Sequence, residues 1–285
     1  MILEHPAIVG VAVCGDSLLI CVEKPLMLPP KIEVCGQTYW TDVVHTGRFV
    51  VANQGIAPAS SLLFHVWHRP IQAGYSLGTR CTVGTAGLIV TPTTGRARCL
   101  LLTAAHVVTR SSHLNKTIVT QPAGPDGGRS GQDAVGAVYR VVYPQPGRAN
   151  LLDAALIEPK SYLEFDLTYP GLGPLRGHCV SLREGWRLYK VGRSTGPLTG
   201  QILSTNWSGY VDYPIGRLYF TRQILVHGSG ITISLPGDSG AVWVTPSAYA
   251  AALNFSSTDR SGRFSIATPI NQVLDAFEVQ VAVPP

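Results

Sequence analysis

The stretch 235–243, with the sequence LPGDSGAVW, constrains the fold of this chain more than any other. In it, Ser239 follows Gly237 by two residues and directly precedes Gly240. Because glycine lacks a Cβ and adopts backbone angles closed to other residues, this pattern favours a tight, exposed turn that presents the serine hydroxyl. The N–H groups of Gly237 and Ser239 can then point to one spot, as an oxyanion hole requires. The same tetrapeptide can also form an ordinary Asx-type turn between strands.

A reactive serine needs a base and a group that orients the base, because its hydroxyl is a weak nucleophile at neutral pH. The apolar run 100–108, LLLTAAHVV, predicts a buried strand that delivers His106 from its end. Asp153 directly precedes the apolar run 154–157. A carboxylate beside buried apolar residues needs a partner, and an imidazole Nδ1–H would serve. The sequence therefore predicts that His106 and Asp153 meet Ser239.

Other acids and histidines compete for these roles. Asp126 and Asp133 lie in or beside the glycine-rich stretch 121–131, without a buried strand after them, so Asp153 is favoured. His113 is the nearest alternative base, but its polar surroundings lack a strand that would hold the ring steady.

Three short motifs carry a resemblance to a known family. TAAH at 103–106, DAAL at 153–156 and GDSG at 237–240 place His, Asp and Ser in the order of the trypsin-like (chymotrypsin-fold) serine proteases. The resemblance covers roughly residues 74–280. Subtilisin-like enzymes have the order Asp, His, Ser and α/β-hydrolases the order Ser, Asp, His, so neither class fits.

The resemblance implies a role for each residue of the site. His106 would be the general base and acid, Asp153 would fix its tautomer, and Ser239 would be the nucleophile. The N–H groups of Gly237 and Ser239 would bind the oxyanion. The predicted function is that of an intracellular regulatory or defence-associated serine endopeptidase that works through an acyl-enzyme. A catalytically silent protease-fold module for binding or assembly, and an esterase with the same triad, are the alternatives.

The resemblance also suggests where the primary substrate pocket lies. Ile233, six residues before Ser239, stands where the family forms the base of this pocket. An apolar floor offers no carboxylate to a Lys or Arg side chain, so we expect a preference for uncharged or apolar residues. Asn254, Phe255 and Ser256 are the candidates for the pocket wall.

Composition favours a β-rich fold. The 285 residues are 45% apolar and only 14% charged, with 30 Gly and 21 Pro, which is typical of many short strands and turns. Together with the resemblance, this predicts a mainly β fold of two six-stranded antiparallel β-barrels, preceded by a small N-terminal β-rich or α/β module. The predicted segments are the module at 1–70, a protease domain at 71–285, barrel one at about 71–168, barrel two at about 175–270 and a C-terminal helix at about 271–277.

Two longer motifs narrow the resemblance. RPIQAGYSLG at 69–78 and KVGRSTG at 190–196 are similar to bacterial trypsin-like proteins related to the plant narrow-leaf protein. This implies an intracellular protease that assembles into a homo-oligomer. The run 190–196 fits either a loop on the substrate side or a plain hairpin.

The acid before the nucleophile also needs a partner. Ile8-Val9-Gly10 is similar to the new N-terminus that trypsin zymogens expose, which pairs with this acid. Nearly a hundred residues separate it from His106, so we do not expect this pairing, and the sequence leaves the partner of Asp238 open.

Several functional classes are disfavoured. The six cysteines show no C-x-x-C pair and no His partners at zinc spacing, which favours free buried thiols and neither metal nor cofactor. Val107 stands where secreted trypsins carry a cysteine, and no secretory signal opens the chain, so a cytoplasmic location is expected. No apolar stretch reaches the roughly 18 residues of a membrane span.

Charge patterning argues against a nucleic-acid partner. The net charge of +5 is spread along the chain without a run of Lys or Arg. The expected partner is instead a protein or peptide substrate.

Overall fold

A computed structural model describes residues 2–51, 63–95, 98–110, 117–161, 163–258 and 261–284. The strands are β1 (Ile8–Cys14), β2 (Ser17–Val22), β3 (Lys31–Val34), β4 (Gln37–His45), β5 (Phe49–Val50), β6 (Ser76–Gly78), β7 (Val83–Thr85), β8 (Ile89–Pro92), β9 (Leu100–Thr103), β10 (Ile118–Thr120), β11 (Ala134–Val142), β12 (Ala149–Asn150), β13 (Ala154–Pro159), β14 (Thr168–Tyr169), β15 (Gly173–Pro174), β16 (Arg187–Gly192), β17 (Gly196–Tyr213), β18 (Gly216–His227), β19 (Val242–Val244), β20 (Ala250–Thr258), β21 (Phe264–Pro269) and β22 (Val279–Val281). The α-helices are α1 (Ala105–Val108) and α2 (Ile270–Phe277).

The strands form two barrel-like sheets, which confirms the predicted mainly β, two-barrel fold. One sheet has eight strands in the order β22-β8-β9-β13-β11-β10-β6-β7. In the other, the order β18-β21-β20-β19-β16-β17 is closed by pairing of β17 with β18, which gives a six-stranded ring. The first sheet has eight strands where six were expected, because the short β7 and the C-terminal β22 also belong to it.

The N-terminal strands extend the second sheet. β1 pairs antiparallel with both β17 and β2. β4 pairs parallel with β2, and β3 pairs antiparallel with β4. The segment is thus β-rich, and it also contains a 3-10 turn at Ile2–Glu4. The predicted domain boundary after residue 70 stays a prediction, and residues 52–62 before it lie outside the described residues.

The largest apolar core joins these parts. It includes Val9 from the N-terminal segment, Leu101 and Ile157 from the first barrel, and Trp207 and Phe220 from the second. Full burial of one such side chain stabilises a fold by about 1.5–3 kcal/mol. The core therefore holds the two barrels together along the line where the candidate site lies.

Two elements differ in length from the predicted ones. β17 and β18 span 18 and 12 residues, well beyond the many short strands that the composition predicts. Burial alternates along β17, as it does in one continuous half-buried strand. α2 starts one residue before the predicted helix and buries Ile270 and three further apolar side chains. Neither described α-helix is long enough to cross a membrane.

Candidate active site

His106 and Asp153 lie side by side at one end of the first barrel. β9 leads into α1, which carries His106, and β13 starts directly after Asp153. Because β13 pairs with β9, with Ala155 opposite Thr103, the two residues emerge next to each other. The backbone N–H of His106 donates to Asp153 Oδ1 (3.0 Å), and the ring Nδ1 makes a short hydrogen bond with Oδ2. These two contacts orient the imidazole.

Tyr213, at the end of β17, is a third member of this cluster that sequence reasoning missed. Its hydroxyl donates to Asp153 Oδ2 (2.6 Å), and its ring meets that of His106 edge-on at 5.9 Å. Burial, reinforced by the charge of Asp153, raises the pKa of Tyr213 well above its ordinary value. Tyr213 therefore stays protonated and donates to the fully buried carboxylate.

The loop that carries Ser239 packs against the first barrel. The carbonyl of Ser239 accepts a hydrogen bond from the N–H of Thr85 (2.8 Å). The backbone of Gly84 lies directly against both this carbonyl and the side chain of Val107, the residue after His106. The hydroxyl of Ser239 donates to the carbonyl oxygen of Phe255 (3.2 Å). The structure thus places the loop that carries the predicted nucleophile next to α1, which carries the predicted base.

The amides of this loop differ in their partners. Gly237 adopts φ 100°, as the turn prediction required of a glycine. The N–H of Asp238 donates to Leu235 and that of Gly240 to Asn254. Those of Gly237 and Ser239 donate to no group within the described part of the chain. Two amides on this loop are therefore available to a ligand oxygen.

Lys190 is the partner of Asp238 that the sequence left open. Its Nζ lies 2.9 Å from Asp238 Oδ2, and both side chains are fully buried. The carboxylate also accepts hydrogen bonds from the N–H groups of Ser194 (2.8 Å), Thr195 (3.1 Å) and Leu235 (3.0 Å), and from the Thr195 hydroxyl (2.8 Å). Burial lowers the pKa of Lys190, while Asp238 acts in the opposite direction. This ion pair holds the loop that carries the serine.

The run 190–196 is therefore more than a plain hairpin, because it encloses Asp238. Gly192 is essential to this enclosure, since a Cβ there would collide with the Asp238 carboxylate. The segment that starts at Ile8, which is similar to the new N-terminus of activated trypsins, does not pair with Asp238. Ile8 is instead the first residue of β1 and pairs with Val22.

Asp126, one of the two competing acids, has a different partner. It forms an ion pair with Arg193 and accepts from the Ser76 hydroxyl (2.6 Å). Burial on its own raises the pKa of Asp126, but the hydrogen bonds from Arg193 and Ser76 and the charge of Arg193 outweigh it, so the pKa lies below its ordinary value. Asp133 accepts from the N–H of Arg129 (2.8 Å). The competing base, His113, lies outside the described residues.

The four predicted pocket residues all lie in the second barrel. Ile233 is fully buried in an apolar cluster with Trp243. Phe255 packs against Phe220 with ring centroids 4.8 Å apart. The Ser256 hydroxyl donates to the carbonyl of Val50 (3.0 Å). Contact of these residues with a substrate stays a prediction.

Asn254 is committed to the protein itself. Its amide nitrogen donates to Ser234 Oγ and to the carbonyl of Asp238, both at 3.2 Å. Its amide oxygen accepts from Trp243 Nε1 (3.2 Å) and from Ser265 Oγ. Since a side-chain amide has two donors and two acceptor sites, all four are engaged. Asn254 therefore holds the serine loop in place through its hydrogen bond to the carbonyl of Asp238.

The described residues contain no cluster of three or more potential metal ligands. All six cysteines are free, but Cys21 alone is fully buried, so the prediction of buried thiols was wrong for the others.

Comparison with known proteins identifies the fold. No protein-family model and no curated protein sequence matches the chain. Among solved structures, Thermobifida fusca Protease A is 22% identical with a TM-score of 0.55, over 75% of this chain and 99% of that one. Nocardiopsis protease is 20% identical with a TM-score of 0.55, over 75% and 99%. A glutamic acid specific serine protease is 18% identical with a TM-score of 0.54, over 74% and 100%. The chain therefore has the fold of chymotrypsin-like serine proteases, and about a quarter of it lies outside the match.

Proposed function

We propose that this protein is a serine endopeptidase that hydrolyses peptide bonds through His106, Asp153 and Ser239. The observation that carries the proposal is the buried contact of His106 with Asp153 beside a serine loop that offers two amides. A nucleophile, an oriented base and an oxyanion site are the three parts that acyl transfer requires. The structural neighbours support the proposal because they are serine proteases.

The reaction follows from these parts. The Ser239 hydroxyl leaves the carbonyl of Phe255 and turns to the imidazole of His106, which removes its proton as the oxygen attacks the substrate carbonyl. The new oxyanion accepts hydrogen bonds from the N–H groups of Gly237 and Ser239. His106 then protonates the leaving amine, and a water molecule, activated by the same ring, releases the acyl group. Asp153 stabilises the imidazolium and holds its tautomer.

Two residues act by position. Tyr213 holds the carboxylate of Asp153 without adding a charge that would compete with the imidazolium. Lys190 neutralises Asp238 and so keeps the serine loop in the shape that exposes its amides. We assign both as positioning residues, because neither needs to touch the substrate.

The substrate is a protein or peptide. The buried, apolar Ile233 favours an uncharged or apolar residue before the cleaved bond, with Asn254, Phe255 and Ser256 along the pocket wall. The resemblance of 69–78 and 190–196 to bacterial relatives of the narrow-leaf protein supports a cytoplasmic enzyme that forms a homo-oligomer. Membranes and nucleic acids are not partners in this proposal, and no cofactor or metal takes part.

Hydrolysis of a mixed peptide library, with sequencing of the products, tests this function. We expect cleavage after uncharged or apolar residues, and no cleavage by the Ser239→Ala variant. Turnover of simple esters with no peptide cleavage would identify an esterase. Neither activity in a folded protein would identify a silent binding module.

A further inference from the structure

β20 has one edge on which an extended peptide could lie beside the serine. β21 pairs along its other edge, from Ala252 to Ser257. On the serine side, β19 covers only the first part of β20, from Ala250 to Leu253. Beyond this part the backbone passes Ser239, whose hydroxyl donates to the carbonyl of Phe255. The segment after Phe255 is therefore the backbone edge next to the nucleophile.

The chain itself occupies this edge. β5 pairs antiparallel with it, with Val50 opposite Ser257 and Phe49 opposite Thr258. The Ser256 hydroxyl adds a hydrogen bond to the carbonyl of Val50 (3.0 Å). Ser257 lies two residues beyond Phe255, or about 7 Å along a strand. The last residue of β5, Val50, thus lies within one short peptide length of the candidate nucleophile.

The direction of β5 matches that of a substrate. In the antiparallel register, the step from Phe49 to Val50 corresponds to the step from Thr258 back to Ser257. β5 therefore runs toward Ser239 as its residue numbers rise. A peptide that adds to this edge as a strand would form main-chain hydrogen bonds with β20 from Phe255 onward, and from Ser257 it would meet β5.

β5 has two residue pairs with each of its neighbours, β17 and β20. On the β17 side, Phe49 is buried and meets Trp207 edge-on at 5.2 Å, and the N–H of Val51 donates to the carbonyl of Asp212 (3.1 Å). On the β20 side, the backbone pairing is supplemented by the hydrogen bond from the Ser256 hydroxyl. A single backbone hydrogen bond contributes about 0.5–1.5 kcal/mol, so a peptide with a longer strand can displace this contact.

We propose that β5 is a built-in competitor for the peptide-binding edge of β20, so that the N-terminal segment restrains the protease until a substrate or partner displaces it. The inference rests on the proposed function. The inference predicts different behaviour for two classes of reagent. Small electrophiles that need only Ser239 react freely, whereas peptides that pair with β20 must first displace Val50.

A reversible crosslink tests the inference. Directly opposed residues on antiparallel strands have Cβ atoms about 4.5–5.5 Å apart, within a small adjustment of disulfide geometry, so Val50→Cys with Ser257→Cys can form a disulfide under oxidation. We expect the oxidised double variant to cleave a chromogenic Ala-Ala-Pro-Leu peptide about tenfold more slowly than after reduction, with unchanged fluorophosphonate labelling of Ser239. The two single variants, oxidised in the same way, are the controls for the native cysteines.

The converse variant removes the competitor. Val50→Pro deletes a strand N–H, and we expect cleavage of the same peptide to rise about fivefold. Equal peptide cleavage by the oxidised and reduced double variant would overturn the inference.

A binding assay keeps the inference separate from catalysis. In a Ser239→Ala background, a fluorescein-labelled Ala-Ala-Pro-Leu peptide should bind the oxidised double variant about tenfold more weakly than the reduced one, and equal affinity would again overturn it. Weaker binding without any labelling of Ser239 in the parent protein would instead refute the proposed function, and with it the restraint of a protease, while the competition of β5 for the peptide-binding edge would stand.

Discussion

The two halves of the candidate site hold a buried acid in different ways. Asp153, beside the base, accepts hydrogen bonds from His106 and from the neutral Tyr213. Asp238, beside the nucleophile, is paired with the buried cation of Lys190. A fixed cation next to Asp153 would weaken its effect on the imidazolium, whereas Asp238 has no base to support and can be paired with a buried lysine. The comparison teaches that the base half of the site, His106 with Asp153 and Tyr213, suits proton transfer. The nucleophile half, the serine loop with Asp238 and Lys190, suits a rigid loop.

The largest expected effect is on the base half. Asp153→Asn keeps the size of the side chain but removes the charge, and we expect kcat/KM for peptides to fall about 10⁴-fold because the imidazole loses its tautomer and its counter-charge. Steady-state kinetics on one peptide substrate measures this. A fall of less than tenfold would show that the charge of Asp153 is not needed for proton transfer by His106.

Removal of the cation on the nucleophile half should act on stability. Lys190→Met leaves Asp238 buried and unpaired, and we expect a loss of about 3–5 kcal/mol in the free energy of unfolding, measured in urea. The double variant Lys190→Met with Asp238→Asn is the matched control, and it should regain part of the loss. If the single variant is as stable as the wild type, Lys190 does not support the serine loop.

Tyr213→Phe should have a smaller effect on catalysis than Asp153→Asn. The variant keeps the ring that packs beside His106 but removes one hydrogen bond to a charged carboxylate, worth about 1.5–3 kcal/mol. We expect kcat to fall about tenfold, the KM to stay unchanged, and the pH profile of kcat/KM to move. A loss of stability at constant kcat would show that Tyr213 is structural only.

The smallest effect concerns acid stability. The pKa of Asp126 is held below its ordinary value, so the ionised carboxylate stabilises the fold above about pH 4, and this contribution is lost as the pH falls through the native pKa. We expect the stability difference between wild type and Asp126→Asn, about 1 kcal/mol at pH 6, to shrink toward pH 2.5. A difference that is constant with pH would contradict the role of the Arg193 ion pair.

Sequence alone predicted the parts of the site that lie in short motifs. His106, Asp153 and Ser239 each end or begin an apolar run, so local pattern indicated which residues a strand would present. Tyr213 could not be predicted, because it reaches Asp153 only through the unexpected length of β17. Lys190 lay in a motif that sequence singled out, but its pairing with Asp238 joins residues 48 positions apart.

In the fold, too, sequence predicted the elements that have a local pattern and not those that depend on distant neighbours. Alternating and buried runs indicated most long strands, while β5, with two residues, is defined by its neighbours β17 and β20. No local periodicity exists over two residues, so only the assembled sheet reveals it.

Covalent labelling by a fluorophosphonate, with the modified residue mapped by mass spectrometry, tests the central claim most directly. The account predicts a single adduct on Ser239 in the wild type and loss of labelling in His106→Ala, because the hydroxyl reacts only when an oriented imidazole removes its proton. A folded wild-type protein that is not labelled, or that is labelled equally well without His106, would contradict it.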